Sequence, residues 1–251
     1  RHVNIALINE LAILSHELRN PLTPIVYALP VIERNPHDAE AAHALTVVRR
    51  QLGHLGRLVD DLLDISRINS GKVELRREVV PIQQILEAVV ESTASLVQAS
   101  RHRLEVTLPE APLPVEADPH RLAQVLTNLL TNATRYTPRG GRISLGARQE
   151  DGRAVVRVRD TGVGIPAKQM PRLFEMFQQI HPEEGMRGGL GIGLALARRL
   201  ITMHGGTIEA FSEGAGKGAE FVITLPLARA PAVRPPPPGP VPRSATPLRV
   251  L

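Results

Sequence analysis

Two runs of apolar residues near the start of the chain step alternately by four and by three, and this spacing restricts the fold more than any other feature. In the first run Leu7, Leu11, Leu14, Leu18, Ile25 and Ile32 recur, with Pro21 and Ala28 filling the two gaps. In the second, Leu45, Val48, Leu52, Leu55, Val59 and Leu62 keep the same alternation. That is the heptad seam of paired α-helices. Arg34-Asn35-Pro36-His37-Asp38 reads as the turn between them, with Asn35-Pro36 as breaker and Asp38 as N-cap. Gly71, after Asn69-Ser70, is placed to follow the C-cap of the second helix. A lone hairpin cannot bury both flanks of its apolar stripe. The expectation is a homodimer through the helical hairpin, closing a four-helix bundle.

From residue 75 the periodicity becomes mixed. Helical patterns over 82–98, 119–134 and 194–204 alternate with strand-like stretches at 73–79, 103–108, 115–117, 143–148, 154–159, 207–212 and 220–225. The fold class is therefore α+β: a helical hairpin over 1–74, then an α/β sandwich over 75–228 with helices on one face of a mixed sheet. Aromatic residues make up only 2% of the chain, so its cores must be built from Leu, Ile, Val and Ala. Residues 229–251 collapse to Pro, Ala and Arg, an extended linker.

Composition removes several function classes. No cysteine is present, which excludes disulfides and thiolate metal sites and points to a reducing, cytoplasmic setting. No apolar run approaches the ~20 residues of a membrane span, so no membrane contact is expected within this segment. The chain begins at Arg1 without a signal-peptide pattern and reads as a piece of a longer protein, whose anchor or sensor would lie upstream. The net charge of +5 comes largely from Arg scattered through amphipathic helices and the tail. With almost no aromatic stacking positions, nucleic acid is not an expected partner.

His16 falls at heptad position f, counted from Leu11 as a, which is the position furthest from the seam. An exposed His alone is an ordinary surface residue; its neighbours change that. Ser15-His16-Glu17-Leu18-Arg19-Asn20-Pro21-Leu22 resembles the H box of sensor histidine kinases, with Asn20 where Thr is more usual. The stretch from Leu55 to Arg67, followed by Gly71-Lys72, is similar to the second dimerisation helix of the same family. The resemblance implies that His16 is the phosphoacceptor. A neutral imidazole keeps a nucleophilic nitrogen near neutral pH, and the adjacent Glu17 is suited to take its proton. Glu17 and Asn20 also match a pattern the family uses to dephosphorylate a partner Asp. Pro21 removes a backbone hydrogen bond near His16 and is expected, with Pro24, to loosen the helix as a hinge.

No GxxxxGK[ST] occurs, which excludes a P-loop. Instead, Asn128-Leu129-Leu130-Thr131-Asn132-Ala133-Thr134-Arg135-Tyr136 resembles the N box of the Bergerat ATP-binding fold. Asn128 and Asn132 share a helical face, and amide oxygens suit Mg²⁺. The resemblance puts the metal on Asn128, a phosphate contact on Arg135 (usually Lys) and Tyr136 beside the nucleotide. Asp160-Thr161-Gly162-Val163-Gly164-Ile165-Pro166 resembles the DxGxGI box. It implies Asp160 as acceptor for the adenine amino group, with Gly162 and Gly164 letting the backbone approach the base. Arg172-Leu173-Phe174-Glu175-Met176-Phe177 resembles the F box, whose phenylalanines would pack the lid over 178–188. Gly188-Gly189-Leu190-Gly191-Ile192-Gly193-Leu194 opens a helix, an anion site by its free N–H groups and dipole. It does not follow the first strand of a βαβ unit, so a Rossmann reading fails. Arg187, Gly189, Gly191, Gly193 and Leu194 complete the expected nucleotide-binding set. Ala219 stands where related ATPases place Ser or Thr, which implies slightly weaker binding.

The four boxes follow the H box in order. The resemblance covers about residues 1–228 and implies an ATP- and Mg²⁺-dependent protein histidine kinase of two-component signalling. Its partner would be a response-regulator receiver domain. Pro247-Leu248-Arg249-Val250-Leu251 resembles the first strand of such a domain, as in a hybrid kinase. The rival reading is a degenerate kinase that binds nucleotide and only scaffolds or dephosphorylates. Against it stand His16, Asn128 and Asp160, all present. Other users of the Bergerat fold lack the H-box hairpin.

Overall fold

The computed structural model describes residues 2–34, 36–71, 74–178 and 191–228; for residues 2–13, 16, 17 and 69 it describes the backbone alone. The 178–188 segment beyond Gln178, Arg187, Gly189 and the Pro-rich tail from residue 229, with its receiver-like end, lie outside the described residues.

Two helices, α1 (His2–Arg34) and α2 (Ala39–Asn69), form the hairpin. Asp38 caps α2, its Oδ1 accepting from the Ala41 N–H at 2.8 Å. Gly71 follows the cap residue Ser70 with φ 67°, the left-handed conformation that glycine adopts without strain. α1 runs unbroken through Pro21, Pro24 and Pro30. Thr23 Oγ1 donates to the Arg19 carbonyl at 3.2 Å within this proline-rich stretch. Ala28 on α1 and Ala41, Ala44 and Leu58 on α2 are buried, while Leu22, Val26 and Leu29 on α1 and Leu45, Leu52, Val59 and Leu63 on α2 stay exposed.

The second unit is built on a five-stranded mixed sheet in the order β2-β4-β5-β7-β6. Its strands are β2 (Arg103–Thr107), β4 (Arg142–Glu150), β5 (Arg153–Asp160), β6 (Thr207–Phe211) and β7 (Glu220–Pro226). β2 and β4 are parallel and the other pairings antiparallel. Asp151-Gly152, both with positive φ, make the tight β4–β5 hairpin. Helices α3 (Ile82–Ala99), α4 (Pro119–Tyr136) and α5 (Gly193–Met203) pack on one face. Ile143, Leu145, Val156, Val158, Ile223 and Leu225 meet Leu122, Leu126, Leu129, Leu130, Leu200 and Ile201 in an aliphatic core. The opposite sheet face carries charge, with Arg157 bridging Glu150 and Glu220.

The structure departs from the sequence reading at one edge. β1 (Glu78–Pro81) and β3 (Pro114–Ala117) pair with each other as a separate two-stranded sheet, and β1 begins only at Glu78. Residues just before it are engaged elsewhere. The Arg76 N–H donates to Asp118 Oδ2 at 3.0 Å, and Arg77 Nη2 donates to the Met203 carbonyl at 2.5 Å. Asp118 also caps α4 through the Arg121 N–H. Buried His204 accepts from the Asp118 N–H on Nε2 at 3.0 Å, and its Nδ1 meets the Leu200 carbonyl at 2.7 Å. Burial holds His204 below the usual imidazole range and therefore neutral, with one nitrogen accepting and the other donating.

Candidate nucleotide-binding site

The site grows from the C-terminal half of α4. Asp118 and Pro119 start this helix, and Leu122, Leu126, Leu129 and Leu130 bury one face on the sheet. The other face then presents Asn128, Asn132 and Arg135 to a cleft of about 870 Å³, whose far wall is α2. Asn132 and Tyr136 also line a small cavity of about 30 Å³, with Ala133, Asp160, Gly164, Ile165, Leu194, Ala219 and Phe221. Its walls are mostly apolar, and one carboxylate lies among them.

That carboxylate is Asp160, buried at the end of β5. Burial pushes its carboxyl above the ordinary range, while the Gly162 and Ala219 N–H groups oppose the shift. Both donate to Oδ1, at 2.8 and 3.3 Å, which leaves Oδ2 for a ligand donor. A desolvated acceptor in an apolar pocket suits the edge of a heterocycle bearing an amino group.

A second loop backs the cavity. Gly216 N–H donates to the Val163 carbonyl at 2.6 Å and Gly218 N–H to the Gly162 carbonyl at 3.0 Å. Ser212 Oγ accepts from the Ile165 N–H at 2.9 Å and donates to the Gly218 carbonyl at 2.7 Å. Ala219 joins this network through its backbone: its carbonyl accepts from the Asp160 N–H at 2.9 Å and its N–H meets the Asp160 side chain. Of Gly162 and Gly164 only Gly164 lines the cavity. A side chain on Gly162 would strike the Tyr136 carbonyl, and one on Gly164 the Gly214 backbone. Both glycines also serve close packing of chain against chain.

At the other end, α5 begins at Gly193 with no side-chain cap on its first N–H groups. A methyl group at Gly193 would come within 2.5–2.9 Å of the Asn128 amide, so the missing Cβ is what lets that side chain fit. Asn128 Nδ2 is buried without a hydrogen-bond partner. Gly191, Gly193 and Leu194 line the cleft beside Asn128. An orphaned amide N–H against an uncapped helix start offers donors to an anion. Among the described residues no group of three His, Cys, Asp or Glu could cage a metal by itself.

The two F-box phenylalanines separate. Phe174 lies at the edge of the main core, with the Arg198 guanidinium 5.5 Å from its ring centroid. Phe177 instead packs, as do Leu14, Leu62 and Ile65 of the hairpin, against the buried pair of Leu58 on α2 and Ile192. The hairpin thus touches the base of the nucleotide site, a contact the sequence did not disclose. A polar contact accompanies it: Arg121 Nη1 donates to Asp64 Oδ2 at 2.5 Å and Gln124 Nε2 to the same oxygen at 2.9 Å. His16 and Glu17 lie on α1, their side chains outside the described residues, and Asn20 is exposed one turn further on.

Residues 6–71 match the family model for the His Kinase A (phospho-acceptor) domain, and residues 117–229 that for the histidine kinase-, DNA gyrase B-, and HSP90-like ATPase. The histidine protein kinase DivJ of Caulobacter vibrioides is 33% identical over 226 residues, 89% of this chain and 38% of its own length. The sensor histidine kinase RcsC of Escherichia coli is 34% identical over 86% of this chain and 23% of its own length. The chain therefore spans well under half of these relatives. Among solved structures, full-length ShkA in complex with AMPPNP superposes with a TM-score of 0.66 at 31% identity, covering 89% of this chain and 47% of that one. The Acinetobacter baumannii histidine kinase AdeS shares the fold at the same TM-score, with 24% identity over 85% of this chain and 98% of its own. No helix among the described residues is long and apolar enough to cross a membrane. With both halves matched and the fold shared, the chain belongs to the sensor histidine kinases, as their catalytic core of phosphoacceptor hairpin and ATPase domain.

Proposed function

We propose that this core binds Mg-ATP and autophosphorylates His16, then passes the phosphoryl group to an Asp of a response-regulator receiver domain. The observation that carries the reading is the aliphatic cavity ending on Asp160, which shares Asn132, Tyr136 and Leu194 with the cleft between α4, α5 and α2. Asp160 Oδ2 accepts from the adenine amino group; guanine offers a carbonyl there and is refused. The triphosphate lies along the cleft, met by Arg135 and by the N–H groups at the start of α5. Arg187 and Gly189, from the segment between Gln178 and Gly191, join this phosphate set. Asn128 holds Mg²⁺, which when bound neutralises charge on the phosphate oxygens.

In the reaction a His16 ring nitrogen bonds to the γ-phosphorus as the bond to the bridging oxygen breaks. ADP leaves, and the proton on the attacking ring passes to Glu17. Glu17 and Asn20 also support a phosphatase reaction on the phosphorylated receiver, by placing water against its acyl phosphate. The hairpin's exposed Leu stripes support a homodimer, and the tail from residue 229 supports a tether to a receiver domain in the same polypeptide. Divisions at 1–74, 75–228 and 229–251 organise these roles.

Incubation with γ-labelled ATP tests the reading. The expected label is acid-labile, alkali-stable and chased by a receiver domain, and it disappears in His16→Gln while nucleotide still binds. Label that persists in that variant, or none on the wild-type chain, refutes the assignment.

A further inference from the structure

His204 closes the C-terminus of α5 and is only 2% exposed. Its Nε2 accepts from the N–H of Asp118, the N-cap of α4, at 3.0 Å. Its other ring nitrogen meets the Leu200 carbonyl one turn back along α5 at 2.7 Å. The ring thereby fastens the end of α5 to the beginning of α4. At the opposite end of the pair, Gly193 at the start of α5 lies against the Asn128 side chain. The two helices are therefore antiparallel and joined by two rungs. Asn128 stands ten residues beyond Asp118, and Gly193 eleven before His204, about 15 and 16.5 Å along an α-helix. With spans so nearly equal, neither helix can slide along the other without disturbing a rung.

Between the rungs Leu122, Leu126, Leu196 and Leu200 pack into the core. Apolar burial holds the helices together but is non-directional, whereas a hydrogen bond has a narrow geometry and fixes axial register. The His204 rung is braced from the chain that precedes β1. Asp118 Oδ2 accepts from the Arg76 N–H at 3.0 Å, and Arg77 Nη2 donates to the Met203 carbonyl at 2.5 Å, beside His204. None of Arg77, Asp118 and His204 lines the cleft or the adenine cavity.

We propose that His204 is a positioning residue for the phosphate end of the nucleotide site. Through the Asp118 N–H, with Arg77 bracing the same end, it sets the register of α5 against α4 and so the fit of Asn128 against Gly193. The proposal rests on the nucleotide reading above and adds to it residues that touch no nucleotide. The base end depends on this register far less, because Leu194 alone of the adenine cavity's walls comes from α5.

The test uses the whole chain and compares Mg-ATP, by titration calorimetry, with adenosine, by ligand-observed NMR. His204→Leu removes the acceptor and should weaken Mg-ATP about 3- to 10-fold, the range by which residues remote from a ligand modulate its binding. Adenosine should change by less than about twofold. His204→Gln puts an amide oxygen where Nε2 was and should restore Mg-ATP to within about twofold of wild type. Arg77→Met, at an exposed position whose loss leaves the core intact, should weaken Mg-ATP in the same selective way and carries the test if His204→Leu does not fold. Wild-type Mg-ATP affinity in His204→Leu or in Arg77→Met, a parallel loss of adenosine, or no recovery in His204→Gln overturns the positioning role. A wild-type chain that binds neither ligand overturns the nucleotide reading itself.

Discussion

Asp160 shows how one residue is given a task by what surrounds it. Burial raises its pKa, so the ionised form is costly in the empty site and gains from any donor that enters. Its folded pKa lies above the unfolded value, so the folded state holds the proton more tightly. Stability contributed by this group is greatest at low pH and is lost as pH rises through the folded value. The proposed base contact runs the other way, because protonation removes the acceptor. Affinity for ATP should fall as pH drops through the folded value of this carboxyl, measured by titration calorimetry from pH 8 downward. Asp160→Asn should weaken ATP by about 10- to 150-fold, the worth of a hydrogen bond to a charged group. Its melting temperature without nucleotide should be no lower than wild type. Equal affinities, or an affinity independent of pH across that range, would remove Asp160 from the base contact.

At the scale of elements, α4 and α5 form one device. Leu126, Leu129 and Leu130 fix α4 on the sheet, and its polar face then carries Asn128 to the start of α5. The fit depends on Gly193, whose missing Cβ is the space that Asn128 fills. Gly193→Ala should favour the helix by up to about 1 kcal/mol from propensity alone. It should nevertheless displace the Asn128 amide and weaken Mg-ATP about tenfold, one good hydrogen bond's worth. Thermal unfolding together with nucleotide titration at several Mg²⁺ concentrations separates the two effects. A variant that binds Mg-ATP normally would show that the Gly193–Asn128 contact has no part in the phosphate site.

For the whole molecule, part of the α2 seam stays uncovered in the single chain. Leu45, Leu52 and Val59 repeat every seven residues along α2, and on α1 Leu22 and Leu29, beside the seam, do the same, all exposed. Each Leu covered by a partner contributes roughly 1.5–3 kcal/mol. Replacing Leu52 and Val59 together by Glu should therefore convert a dimer to monomer in sedimentation. ATP binding should be retained, since neither residue lines the nucleotide cavity. A double variant that sediments like wild type would place the dimer contact elsewhere.

Much of this protein was legible in one dimension because its signals are periodic or local. The alternating four-and-three steps gave the hairpin, and Asp38 and Gly71 gave its punctuation. These depend on helix pitch, strand pleat and backbone sterics, which act over a few residues. The tertiary structure alone decided what distant segments do to one another. Gly162, Gly164 and Gly193 are required by the Tyr136 carbonyl, the Gly214 backbone and the Asn128 side chain, none of which their own neighbourhood announces. β1 and β3 pair apart from the main sheet, and residues 76–77 just before β1 are tied to Asp118 and Met203. Asp64 is an ordinary acid on a polar helix until α4 brings Arg121 and Gln124 across to it. Sequence spacing carries no record of such meetings, because packing the aliphatic core and satisfying buried polar groups are conditions on the folded chain as a whole.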